Sequence, residues 1–141
     1  MKYSTADLLS VLKKTEEYDD FYIENNNDLL KENVGGMLND MIRRRRLSKK
    51  QVISDSQINR VYAYQILSGT KSAPARDKLL CLLIAMKIPL DEVQTFLKTN
   101  GYPQLYPRIK RDSIIIFCIN KGATVVETNY ELFSHEEKTL L

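Results

Sequence analysis

The residues of this chain whose types and spacing best suit recognition by hydrogen bonding lie between positions 58 and 69. At helical spacing one face of this segment carries a mixed polar and aromatic set, made up of Arg60, Val61, Tyr64, Gln65 and Ser68. An arginine guanidinium can pair bidentately with guanine, and a glutamine amide can do so with adenine. The opposite face carries Ala63, Ile66 and Leu67, which could hold the helix against a core. Arg60, Val61, Tyr64 and Gln65 are therefore candidate base contacts.

A second set of polar side chains flanks this face and suits contact with phosphate oxygens. Its members are Ser48, Lys49, Asn59, Tyr62, Ser68, Thr70, Lys71 and Ser72. Hydroxyl, amide and ammonium groups commonly contact the nucleic-acid backbone, where they fix register without reading sequence. For Tyr62 and Tyr64 an alternative stays open, because exposed aromatic rings also anchor protein interfaces.

Helices are predicted to position these groups. An i, i+3, i+4, i+7, i+8 apolar pattern predicts an amphipathic helix ending near Leu47, and it consists of Val34, Met37, Leu38, Met41 and Ile42. Ser48 and Asn59 are predicted N-caps of two further helices, the second stopping at Gly69. An apolar helix over 77–86 and another opening at Pro89 follow.

The two ends of the chain are also read as helical. Ser4 and Asp7 have capping-box spacing and predict a helix over 5–16, and a short helix is expected over 19–24. Residues 113–128 are rich in β-branched types, so a hairpin is a rival there. We favour helices, because an isolated hairpin is marginally stable and Asp112 could cap a helix. The predicted fold class is all-α.

The charge of the chain is unevenly distributed. The 141 residues carry a net charge of +3. Residues 1–33 have 4 Lys and 8 acidic residues, whereas 34–80 have 10 basic and 3 acidic residues, a local balance of +7. Clustered positive charge is typical of nucleic-acid binders, although a solvated helical face is an equally simple interpretation. Residues 43–46 are four successive arginines, which span about 300° of a helix, so they cannot all face one ligand.

Composition argues against several other classes. The single histidine, His135, cannot build a histidine triad or a multi-histidine metal site. No P-loop, dinucleotide glycine pattern, CxxC or HExxH motif is present. Cys81 and Cys118 lie in apolar runs and are predicted to be buried thiols. We expect no enzymatic activity, no metal and no cofactor. The longest apolar run, 79–86, is too short for a bilayer, and no targeting signal is visible, so a cytoplasmic protein is expected.

Residues 34–97 resemble the helix-turn-helix domain of the XRE/Cro family, which is related to phage repressors. The resemblance is carried by Leu47-Ser48, Val52, Ile58-Asn59, Ile66, Gly69, Pro74, Leu79-Leu80-x-Leu82 and the run from Ile88 to Val93. The chain departs from the family at Ile53, where a small residue is common, at Gln57, where glycine is common, and at Ala63. Ile42 and Leu67 replace a buried Arg–Glu pair, an exchange that can be neutral or stabilising.

The resemblance implies a lambda repressor-like five-helix domain over 34–98. An acidic helical extension would precede it at 1–33, and a helical extension, a possible dimerisation element, would follow at 99–141. It further implies a sequence-specific regulator of transcription of bacterial or phage type, a homodimer that binds double-stranded DNA with the helix at about 59–68 in the major groove. The alternative is a non-enzymatic protein-interaction adaptor on the same scaffold, with Val61, Tyr62 and Tyr64 exposed to a protein partner.

Overall fold

The computed structural model describes residues 4–25 and 33–141. All regular secondary structure within these ranges is helical, in nine helices and no strands, so the predicted all-α class is confirmed for the described residues. The chain divides into two compact units, Met1–Lys31 and Glu32–Leu141. Residues 1–3 and 26–32 of the predicted N-terminal extension lie outside the described residues.

The first unit holds two short helices. Helix α1 (Thr5–Lys14) begins at the predicted capping box, in which the Ser4 hydroxyl accepts from the Asp7 backbone N–H. It ends two residues before the predicted end at 16. Helix α2 (Tyr18–Asn25) follows, and the rings of Tyr18 and Phe21 lie 5.9 Å apart.

The second unit holds the remaining helices of the described chain. They are α3 (Val34–Arg44), α4 (Lys49–Ser56), α5 (Arg60–Ser68), α6 (Arg76–Ala85), α7 (Leu90–Thr99), α8 (Lys110–Asn120) and α9 (Val125–Ser134). Helix α3 ends three residues before Leu47, near which its end was predicted. The helix stops at Arg44 because Arg46 adopts a left-handed conformation, φ 55°, and the Leu47 N–H bonds back to the Ile42 carbonyl.

Helix α6 lies at the centre of this unit. Six successive residues, from Leu79 to Ile84, are buried, and the helix packs against α4, α7 and α9. A helix that is apolar all round must be covered on every side, which accounts for its position. The same apolar core includes residues of the C-terminal part of the chain, namely Leu105, Ile115, Val125, Leu132 and Leu140.

Helix α3 approaches α5 closely at Gly35. A methyl group on Gly35 would lie 2.7 Å from the Ile66 carbonyl oxygen and 2.8 Å from that of Leu67. Ile42 and Leu67 are both buried in the core. Both side chains belong to the same apolar core cluster of this unit.

Residues 113–128 are helical, as predicted, and belong to α8, α9 and the turn between them. The predicted capping role of Asp112 was wrong. Helix α8 begins two residues earlier, and the Asp112 side chain is 2% exposed. Its carboxylate accepts from the Arg76 guanidinium at 2.8 Å and from the Tyr106 N–H at 3.0 Å. Arg111 pairs with Asp77 at 3.0 Å. These two ion pairs join the starts of α6 and α8.

Candidate nucleic-acid interface

Two short capped helices, α4 and α5, carry most of the candidate residues. The Ser48 hydroxyl accepts from the Gln51 N–H at 3.2 Å, and the Asn59 amide oxygen accepts from the Tyr62 N–H at 3.1 Å. Both predicted N-caps are thus confirmed. Gly69, at φ 88°, ends α5 as predicted. Local hydrogen bonds thereby fix the beginnings of both helices and the end of the second.

The turn between α4 and α5 is held by a buried hydroxyl. Ser56 donates to the Ile53 carbonyl at 2.6 Å and accepts from the Ile58 N–H at 3.3 Å. Gln57 adopts a left-handed conformation at φ 64°, the region that glycine enters most easily. The chain therefore makes the turn without glycine and places Ile58 in the core.

The outward face of α5 is that predicted from the sequence. Arg60 and Ser68 are exposed, Val61 is 65% and Tyr64 39% exposed, and Gln65 is half-buried. The Arg60 guanidinium carbon lies 5.9 Å from the centroid of the Tyr64 ring, in the range of a cation–π contact. The inward residues of the same helix are fully buried or nearly so, and they are Ala63, Ile66 and Leu67.

The loop after α5 folds back onto that helix. The Ser68 and Thr70 hydroxyls lie 3.0 Å apart, and the Lys71 N–H donates to the Gln65 carbonyl at 3.0 Å. The Tyr102 hydroxyl donates to the Pro74 carbonyl at 2.5 Å, and burial raises the pKa of Tyr102. The loop that carries the exposed Thr70, Lys71 and Ser72 is thereby tied to the body of the unit.

Tyr62 differs from Tyr64. It is half-buried and packs against the core, with the Lys71 and Lys78 ammonium groups each 6.0 Å from its ring centroid. Lys78 was missed from the sequence, because only the path of the loop brings α6 beside this ring. Tyr64 is therefore the more exposed aromatic of the two, while Tyr62 holds two cations at one place.

Ion pairing separates the cations of the basic segment into two groups. Arg43 and Arg44 pair with Asp40, Arg45 pairs with Glu92, and Arg76 pairs with Asp112. Within the described residues the other six cations have no carboxylate at ion-pair distance, and they are Arg46, Lys49, Lys50, Arg60, Lys71 and Lys78. Five of these six lie at or next to the candidate site. The free positive charge is concentrated where the base and phosphate candidates lie.

Comparison with known proteins finds no relative of this chain. No family model, curated protein or solved structure matches it. In the described ranges no three side chains of the metal-ligating types converge. No helix of the described residues is long and apolar enough to cross a bilayer.

Proposed function

We propose that this protein is a sequence-specific regulator of transcription that binds double-stranded DNA through a helix-turn-helix formed by α4 and α5. The observation that carries the proposal is the outward face of α5, which presents Arg60, Val61, Tyr64 and Gln65 and is bordered by cations without ion pairs. The residues that resemble the XRE/Cro family support the same proposal, since they coincide with the caps, the turn and the buried faces of these helices.

The dimensions of α5 suit a major groove. An α-helix with its side chains is about 10–12 Å in diameter, and the groove is about 12 Å wide. In helix-turn-helix proteins the N-terminal residues of the second helix contact base edges. Arg60 and Val61 lie in the first turn of α5, and Tyr64 and Gln65 follow in the next. Arg60 is thus the strongest candidate for guanine recognition.

Phosphate contacts would flank this helix on both sides. Ser48 and Lys49 begin α4, where backbone N–H groups and the helix dipole favour an anion. Lys71 lies in the loop after α5 and Lys78 in the first turn of α6, and the ammonium group of each lies 6.0 Å from the centroid of the Tyr62 ring. Contacts of this kind set affinity and its salt dependence, whereas base contacts set sequence preference.

The test is a fluorescence-anisotropy titration of the full chain with two duplexes, the DNA upstream of its own gene and a random sequence, across a salt series. We expect tighter binding to the first duplex and a steep loss of affinity for both with salt. Weak and equal binding to both duplexes would contradict the proposal.

Two variants separate the proposed roles in the same titration. Arg60→Ala should lower affinity for the preferred duplex by about 5- to 150-fold and change random-duplex binding little. Lys49→Ala should weaken both equally and reduce the salt slope by about 1. Lys98→Ala, at an exposed position of helix α7, is the matched control and should leave both affinities unchanged. A uniform effect of Arg60→Ala would remove Arg60 from base recognition.

The second candidate function is the protein-interaction adaptor. It is favoured by Val61, which is 65% exposed on the face that would read DNA. An adaptor would lose its partner on Tyr64→Ala and keep it after charge reversal at Lys49 and Lys71. DNA binding should instead be lost on charge reversal at the two lysines. These variants therefore distinguish the two candidate functions.

A further inference from the structure

Helix α9 has a buried face and, on another side, an exposed apolar stripe. The buried face consists of Val125, Thr128 and Leu132, each 0% exposed. The outward stripe consists of Val126, Tyr130 and Phe133, which are 59%, 70% and 74% exposed. Its i, i+4, i+7 spacing places all three on one side of the helix, as in helices that pack against another helix.

A groove lies between α8 and α9, and Val126 and Tyr130 of the outward stripe form part of its wall. Its volume is about 620 Å³, and its apolar lining includes Phe117, Val126 and Tyr130. Phe117 is 51% exposed, and the Lys121 ammonium lies 5.2 Å from its ring centroid. The surface formed by α8 and α9 thus presents a projecting aromatic stripe and an apolar depression next to each other.

We infer that this α8–α9 surface is a homodimer interface, in which the outward stripe of α9 from each copy lies in the groove of the other across a two-fold axis. The four helices would then form a small bundle. The inference deepens the proposed function, because a two-fold dimer presents two copies of α5 to two half-sites. A second copy is the occupant because the surface is complementary to itself, as an isologous contact requires.

The three aromatic side chains of this surface expose about half of the area that one partner buries in a standard dimer. Phe117, Tyr130 and Phe133 together expose roughly 400 Å², taking about 200 Å² for each complete aromatic side chain. That figure lies within the range of the largest patch on a typical monomer, about 300–600 Å², and such patches are often functional. A standard interface buries about 800 Å² per partner, so three side chains supply about half of one side.

The charges around the groove also suit a second copy. Lys121 lies on the α8 side, and Glu127 and Glu131 lie on the α9 side. A two-fold axis would bring the lysine of each copy opposite the carboxylates of the other, giving two equivalent ion pairs. Among the described residues no carboxylate lies within ion-pair distance of Lys121, and Glu131 faces His135 at 3.4 Å. A groove of one charge sign would instead repel a copy of itself.

Sedimentation velocity of the full chain over a concentration series, without DNA, tests the inference. We expect a reversible dimer. Tyr130→Glu and Phe133→Glu should each weaken association at least about 100-fold while leaving the circular dichroism spectrum near that of the parent, since both side chains are exposed. Tyr106→Glu is the control, because Tyr106 is 52% exposed outside the groove, and should leave the dimer intact. A monomer at every concentration, or an unaffected dimer in the Tyr130 and Phe133 variants, would overturn the inference.

A charge exchange tests the two-fold geometry itself. Lys121→Glu and Glu131→Lys should each weaken the homodimer, whereas an equal mixture of the two variants should associate, since both contacts of the mixed dimer are attractive. Glu131 is chosen because Glu127 accepts from the Thr124 N–H, which lowers the pKa of Glu127 and caps α9. No association in the mixture of folded variants would exclude this two-fold arrangement. Neither measurement contains DNA, so a failure of DNA binding leaves the result standing, and the reverse also holds.

Discussion

Gln57 is the residue of the turn between α4 and α5 whose backbone conformation is least favourable for its side chain. A left-handed φ of 64° crowds the Cβ of any residue other than glycine. The side-chain amide donates to the Ser54 carbonyl at 3.2 Å, which offsets part of this strain. The left-handed conformation of Gln57 therefore costs the fold a small part of its stability.

Gln57→Gly should raise the free energy of unfolding by about 0.5–1 kcal/mol, because glycine enters the left-handed region without the Cβ clash. Gly69→Ala, at φ 88°, should lower it by about 1 kcal/mol for the same reason in reverse. Urea unfolding followed by circular dichroism measures both. A loss of stability in Gln57→Gly would show that the amide hydrogen bond outweighs the strain.

Residue-scale features were predictable where their cause is local. Ser48, Asn59 and Gly69 act as caps because the groups they bond lie within a few positions of them in the chain. Tyr62 and Lys78 lie sixteen positions apart, and their contact depends on how the intervening loop returns over α5. Sequence spacing carries no signal for such a pair.

At the scale of elements, α6 and α8 are joined by buried charge. Asp112 is 2% and Arg76 20% exposed, and Arg111 adds a second pair to Asp77 beside them. Apolar packing orients helices only loosely, whereas a hydrogen-bonded pair requires one geometry. The start of α8 is therefore fixed relative to that of α6.

Asp112→Ala should lower the free energy of unfolding by about 3 kcal/mol, because it leaves the Arg76 guanidinium and the Tyr106 N–H without their acceptor. Arg43→Ala removes a surface ion pair whose arginine is 71% exposed, and its effect should stay below about 0.5 kcal/mol. Chemical denaturation compares the two. Equal effects would mean that the Asp112 pair adds no more than a surface contact.

The elements themselves followed from periodicity, since all the helices of 34–99 were predicted within a few residues of their ends. The role of Asp112 could not be predicted, because an acidic residue near a helix start has the same local pattern whether it caps the helix or pairs with a distant arginine. The capping box of Thr124 and Glu127 was not predicted for a different reason. The β-branched residues around it also fit a strand of a hairpin.

At the scale of the whole chain, the uneven charge was visible in the sequence, but its distribution between paired and unpaired cations was not. Arg45 pairs with Glu92 on α7, and Arg76 with Asp112 on α8, so long-range carboxylates remove part of the apparent excess. What remains lies mainly around α4 and α5. A count of charges therefore overstates the positive potential around residues 43–46, where three arginines are paired. The same count does not show that Lys78 is unpaired within the part of the chain that the structure describes.

The two cysteines lie on α6 and α8, inside the core that joins the N-terminal and C-terminal parts of the second unit. Burial raises the pKa of the Cys81 thiol to about 12 and also raises that of Cys118. Since the thiolate is the reactive form, a native molecule should resist thiol reagents. Cys81 should react only as fast as the core around α6 opens, whereas Cys118 lines the groove between α8 and α9 and should also report the opening of that groove. Equal labelling rates without denaturant would mean that both positions open in one event, and a faster Cys118 would mean that α8 and α9 separate before α6 is exposed.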